Sequence, residues 1–170
     1  MKKLLILLMI CLFPACQNTE ATLTEAEESL PFHILQPSSL SEGWKVKETI
    51  YEEDLVVIVY KHEKEGTIEL IQDQHIQGLN QKALKQYMEH GEWSSYNNLD
   101  TRHHTLVIDK YIGEWTILPE EERKMQYTFV RQFDLYAEPR QGISYYQVTG
   151  QDVTSEEVVS FVETLSGVTS

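Results

Sequence analysis

Trp44-Lys45-Val46-Lys47-Glu48-Thr49-Ile50-Tyr51-Glu52-Glu53-Asp54-Leu55-Val56-Val57-Ile58-Val59-Tyr60 is the stretch on which the reading of the fold turns. Trp44, Val46 and Ile50 alternate with Lys45, Lys47 and Thr49, the period-two pattern of a strand with one wet face. Glu52-Glu53-Asp54 makes a polar turn. Leu55 to Tyr60 is apolar at every position, which predicts a central strand covered on both faces. Lys61 to Gly66 makes a second polar turn, and Ile68 and Leu70 then point inward from the next strand. Short polar turns between such runs favour antiparallel hairpins, because parallel neighbours need long crossovers.

Outward from this hairpin, further strands are expected at Thr105–Asp109, Gly113–Leu118, Gln126–Tyr136 and Ile143–Thr149. In the longest, Tyr127, Phe129, Phe133 and Leu135 share a face, interrupted by Arg131. Two helices are marked by their ends. Thr154-Ser155-Glu156-Glu157 is a capping box, with Val153 and Val158 placed as a hydrophobic staple. Val158, Phe161, Val162 and Leu165 follow as one apolar stripe, and Gly167 is the expected stop. The other helix starts at Asn80, with Leu79 and Leu84 as staple, Leu84, Tyr87 and Met88 as apolar face and Gly91 as stop. The expected fold class is α+β: a twisted, mainly antiparallel β-sheet with two helices packed against it. There is no internal repeat and no low-complexity tract.

The chain opens Met1-Lys2-Lys3, followed by the apolar run Leu4–Phe13 and then Pro14-Ala15-Cys16. A bilayer-spanning helix needs about 20 apolar residues, so this run suits a signal-peptide core rather than a transmembrane anchor. Leu12-Phe13-Pro14-Ala15-Cys16 resembles a lipobox, in which the thiol is linked to diacylglycerol and cleavage leaves the cysteine first. Ala15 fits that pattern, while Phe13 stands where leucine is usual. The competing readings are cleavage after Ala21 to give a freely secreted protein, and a buried N-terminal helix of a cytosolic one. Cys11 and Cys16 are the only two cysteines, so the rest of the chain has neither disulfide nor thiol nucleophile, consistent with an oxidising compartment.

These features divide the chain into a signal peptide at 1–15, a lipidated acidic tether at 16–29 and a single domain at 30–170. The tether assignment rests on the polar, acidic, aromatic-free stretch Gln17 to Ser29. About 140 residues remain beyond it, enough for one real core. The net charge of −13 becomes about −15 once Lys2 and Lys3 are removed. Such a surface repels nucleic acid and anionic lipid alike, so the lipid on Cys16 is the expected membrane attachment.

Pro31-Phe32-His33-Ile34-Leu35-Gln36-Pro37-Ser38-Ser39-Leu40-Ser41-Glu42-Gly43-Trp44 resembles the P-x-x-L-P-x-G-[YFW] opening of the DUF4367 domain, with Ser41 in place of the second proline. The hairpin ending at Leu55–Tyr60 is similar to that domain's next strand pair. Gly142–Gly150, Ser155–Val159 and Glu163-Thr164-Leu165 are similar to its last strand and helix. The middle, Gly78 to Glu138, carries no such likeness. That domain occurs in Gram-positive membrane proteins and lipoproteins, some linked to sporulation or anti-sigma regulators. The resemblance implies a fold and a membrane address, and no chemistry.

Catalytic patterns are missing from the sequence. There is no G-x-S-x-G elbow, no phosphate-cradling glycine loop and no H-E-x-x-H pair. The six histidines, His33, His62, His75, His90, His103 and His104, read as structural or solvated; His62, Glu63 and Glu65 are the cheapest metal cluster if one exists. Glu52-Glu53-Asp54 and Glu120-Glu121-Glu122 lack calcium-loop spacing and read as solvated turns. Trp44, Trp93, Trp115, Tyr145 and Tyr146 are candidates either for the core or for a ligand groove. Tyr145 and Tyr146 must face opposite sides of their strand.

The resulting expectation is a lipoprotein on the extracytoplasmic face of the cell membrane. It has no catalytic residue, no cofactor and no metal, and Cys16 is its lipidation site. Its domain is a non-enzymatic binding or sensory module for a cell-envelope protein or ligand. Two alternatives from other classes are a cell-envelope hydrolase using acidic residues, recognisable by two convergent carboxylates in a deep cleft, and a carrier with an apolar cavity between sheet and helices.

Overall fold

The computed structural model describes residues 19–73, 75–76, 79–91, 103–118, 123–136 and 144–168. Cys11, Cys16, the expected signal peptide, Trp93 and Glu120–Glu122 lie outside them. The elements run α1 (Thr19–Ser29), β1 (Leu35–Pro37), β2 (Trp44–Glu52), β3 (Leu55–His62), β4 (Thr67–Asp73) and α2 (Gln81–His90). They continue β5 (His103–Ile108), β6 (Tyr111–Leu118), β7 (Lys124–Arg131), a 3₁₀ turn (Gln132–Tyr136), β8 (Tyr145–Gln151), α3 (Ser155–Glu163) and β9 (Leu165–Gly167). Two meanders, β2-β3-β4 and β5-β6-β7-β8, join into one seven-stranded sheet of order β2-β3-β4-β8-β7-β6-β5. Every ladder is antiparallel, so the α+β class expected from the pattern is the class observed. β1 and β9 form a separate two-stranded ribbon.

The apolar run Leu55–Tyr60 is a strand, but not the middle one. β3 lies next to the edge, and β8 is the central strand. Val56, Ile58 and Tyr60 are buried, while Leu55, Val57 and Val59 are half-buried on the opposite face. The alternation in β2 is also shifted. Val46 pairs with Tyr60 and Glu48 with Val59, so Lys47 is the extra residue of a β-bulge. The bulge turns Thr49 and Tyr51 to the face of Trp44 and Val46, and Ile50 away from it. A bulge with lysines beside it also blunts this edge strand against pairing with another chain.

The largest core lies on one face. Tyr60, Tyr127, Phe129, Tyr146 and Trp115 fill it and are at most 2% exposed. Phe129 stacks on both neighbours, with centroids 5.0 Å from Tyr127 and 5.6 Å from Tyr146. Three tyrosine hydroxyls donate to main-chain carbonyls: Tyr146 to His33 at 2.9 Å, Tyr111 to Leu165 at 3.0 Å and Tyr127 to Leu106 at 2.9 Å. These three rings thus keep their polar tips satisfied, whereas the buried Trp115 Nε1 has no hydrogen-bond partner among the described residues. α1, the Leu30–Leu35 segment and α3 pack on this face. α2 packs on the other, where Leu84, with Leu79, Tyr87 and Met88 beside it, meets Ile112, Val130 and Leu135.

Three expectations are corrected here. The segment expected as a tether is the helix α1 over Thr19–Ser29, with Leu23 and Ala26 buried against the sheet. Its stripe Leu23, Ala26 and Leu30 runs at i, i+3, i+7, but acidic neighbours dilute it. Glu27 then locks the helix to the next segment: its carboxylate accepts from the Ile34 N–H at 2.5 Å and contacts His33 Nδ1 at 2.8 Å. The strand expected to run to Tyr136 stops at Arg131, because Arg131 and Asp134 close a bidentate pair (2.7 and 3.1 Å) across the 3₁₀ turn. The turn replaces the two-residue period, so Phe133 is 85% exposed and Leu135 reaches the opposite core. The last helix ends at Glu163 with Thr164 as its C-cap, not at Gly167, and the chain continues directly into β9.

Besides the Tyr111 hydroxyl on Leu165, a buried amide ties the ribbon to the sheet. Gln72 is fully buried; its Oε1 accepts from the Leu35 N–H at 2.6 Å and its Nε2 donates to the Leu35 carbonyl at 3.0 Å. An amide side chain thereby supplies a pair of bonds a neighbouring strand would otherwise make. Gln72→Leu fills the same volume and leaves both Leu35 groups unpaired, so it should lower stability by about 2 kcal/mol in urea denaturation. An unchanged midpoint would show that the pair is not holding the ribbon.

The buried tyrosines also set an alkaline limit. Burial raises the Tyr60 and Tyr111 hydroxyls well above their ordinary value and pushes Tyr146 up to about 12. These folded-state values lie above the unfolded one, so the stabilisation is complete below about pH 10 and is lost as pH rises from there through about 12. Circular-dichroism melts should show a melting temperature insensitive to these groups at pH 8–9 and falling steeply above pH 10. Phenolate absorbance should rise together with unfolding.

Candidate functional site

The capping box is formed as expected. Thr154 Oγ1 accepts from the Glu157 N–H at 3.2 Å, and Glu157 accepts from the Thr154 N–H at 2.8 Å. Such caps contribute on the order of 1 kcal/mol each, so the start of α3 is firmly placed. It is placed against one end of the sheet. A Cβ on Gly66, in the β3–β4 turn, would lie 2.8 Å from Val153 and 3.6 Å from Trp44. That turn, β2 and the entrance to α3 therefore meet at one point.

Beside this junction is a groove of about 280 Å³. One wall is α3, through Glu156, Glu157, Ser160, Phe161 and Thr164. The other is the β2–β3 hairpin, through Trp44 and His62, and the loop from Ser39 to Glu42 forms the rim. Trp44 meets His62 edge to face, with centroids 5.3 Å apart at 61°. His62 Nδ1 accepts from the Lys64 N–H at 3.3 Å, which leaves the ring proton on Nε2. Gly43 makes the arrangement possible. Its φ is +84°, and a Cβ there would come within 2.5 Å of His62 Nε2.

The residues singled out from sequence are dispersed. Trp115 and Tyr146 are core, Tyr145 is half-buried against the α2 side, and Trp44 alone of the named aromatics among the described residues reaches the groove. His62 turns to Trp44 rather than joining Glu63 and Glu65, and among the described residues no three His, Cys, Asp or Glu side chains form a metal-sized group. His33 pairs with Glu27, His75 with Asp73 at 3.2 Å, and His103 contacts Thr116 at 3.0 Å and Glu114 at 3.7 Å. Glu52, Glu53 and Asp54 line an open depression with Asp73 and His75. Leu40, Glu42, Ser160 and Thr164 were not legible as site residues, because no motif joins positions over a hundred residues apart.

Gly43→Ala should cost about 1–3 kcal/mol, from the left-handed backbone together with the clash on His62. It should also shift tryptophan emission as His62 leaves Trp44. A stable variant with unchanged emission would contradict the packing described. No helix among the described residues is long and apolar enough to cross a membrane. No protein-family model matches the chain, and no curated protein and no solved structure matches it either.

Proposed function

We propose that the protein is a lipid-anchored extracytoplasmic lipoprotein whose domain is a non-enzymatic binding or sensory module. The observation that carries the binding role is the preformed groove between α3 and the β2–β3 hairpin, which combines an aromatic wall with several polar side chains. The carrier reading is less favoured, since stacked aromatic rings occupy the space between sheet and helices where an apolar cargo would sit.

The membrane address rests on the leader and Cys16. With α1 starting at Thr19, only Gln17 and Asn18 separate a lipidated Cys16 from the folded domain. At about 3.5 Å per residue, Thr19 then lies within roughly 10 Å of the anchor, so the domain sits close to the bilayer rather than on a long stalk. Cys16→Ser should abolish incorporation of radiolabelled palmitate and release the protein or stall its processing. A variant that still labels and fractionates with membranes would refute the lipoprotein reading.

A further inference from the structure

The groove has a charge of one sign. Glu42, Glu156 and Glu157 bring three carboxylates to its lining, which includes neither lysine nor arginine among the described residues. His62 Nδ1 accepts a hydrogen bond from the Lys64 N–H and so offers the groove no donor at that atom. The start of α3 adds the partial positive charge of a helix terminus, about half a unit, which the carboxylates outweigh several-fold. An anion is therefore repelled. A neutral ligand without donors would strip water from the carboxylates and give nothing back, and a neutral donor returns a hydrogen bond without the opposite charge.

The other lining groups narrow the cation. Trp44 offers a ring to a positive charge, and Leu40, 37% exposed, and Phe161 offer apolar surface to a short carbon chain. The Thr164 hydroxyl donates to the Phe161 carbonyl at 2.7 Å, so its oxygen remains able to accept. Ser160 adds a second hydroxyl. Carboxylates and hydroxyl oxygens suit a head with several N–H donors better than a fully alkylated one.

We propose that this groove binds a small aliphatic primary ammonium ion, its head among Glu42, Glu156 and Glu157 and its alkyl stem against Trp44, Leu40 and Phe161. This inference rests on the groove being the binding site, as argued above.

The test is calorimetric titration of the full-length chain in an uncharged detergent with n-pentylammonium, 1-pentanol and pentanoate. Pentylammonium should bind with Kd of about 1 mM, at least about tenfold tighter than the other two. Glu42→Gln with Glu156→Gln should weaken it about fivefold without changing the melting temperature. Glu52→Gln with Glu53→Gln, at the far end of the sheet, should leave binding unchanged. Equal weakening by both pairs would show attraction to the whole acidic surface and overturn the proposal. Equal affinity for amine and alcohol, both reduced by Trp44→Phe, would overturn the cation and keep the groove. Binding insensitive to Trp44→Phe would sink the groove reading itself.

Discussion

The ladder between β4 and β8 is the interaction on which the rest depends. It pairs Thr67 with Gln151 through to Asp73 with Tyr145, residues more than seventy positions apart. Each meander can form locally, but neither has a complete core alone. Only when β8 lies against β4 does Tyr146 come beside Gln72, and Val148 beside Leu70, on one continuous apolar face. Closing so long a loop costs entropy before any burial repays it, so the ladder is also the slow step to expect in folding.

The face made by that ladder is then covered by the two ends of the chain. α1 and the ribbon come from the first fifty residues and the last few, and they are fastened by polar groups rather than by apolar contact alone. Gln72 holds Leu35, Tyr146 holds His33 and Tyr111 holds Leu165, each through main-chain atoms. Hydrogen bonds of this kind contribute about 1 kcal/mol net but cost more when broken, because a buried group is left unpaired. They select one arrangement of the lid over others with similar burial. α3 belongs to the same lid, and the groove exists because its capped start is held beside the β2–β3 hairpin.

Misreadings of the sequence have a common physical source. Period and propensity report on a residue's immediate neighbours. They identified β3, the capped start of α3 and the Asn80 cap of α2, whose side chain accepts from the Ala83 N–H at 3.1 Å. They failed where a single local device reset the pattern: the bulge at Lys47, and the Arg131–Asp134 pair that ends β7 and sends Phe133 outward. They failed also at α1, whose short apolar stripe becomes a helix because a sheet face is present to bury it.

The sequence by itself determined the α+β class, the hairpin, the starts of two helices and a domain without cysteine, because each is written in a run of adjacent residues. The apolar run Leu4–Phe13 and the position of Cys16 are likewise properties of local sequence. Tertiary structure alone decided that β8 and not β3 is central, that Thr19–Ser29 packs as a helix, and that Glu42, Trp44, His62 and Glu156 share one groove. Strand order and groove both join residues distant along the chain, and their proximity follows from how two meanders zip together and which segments cover the seam.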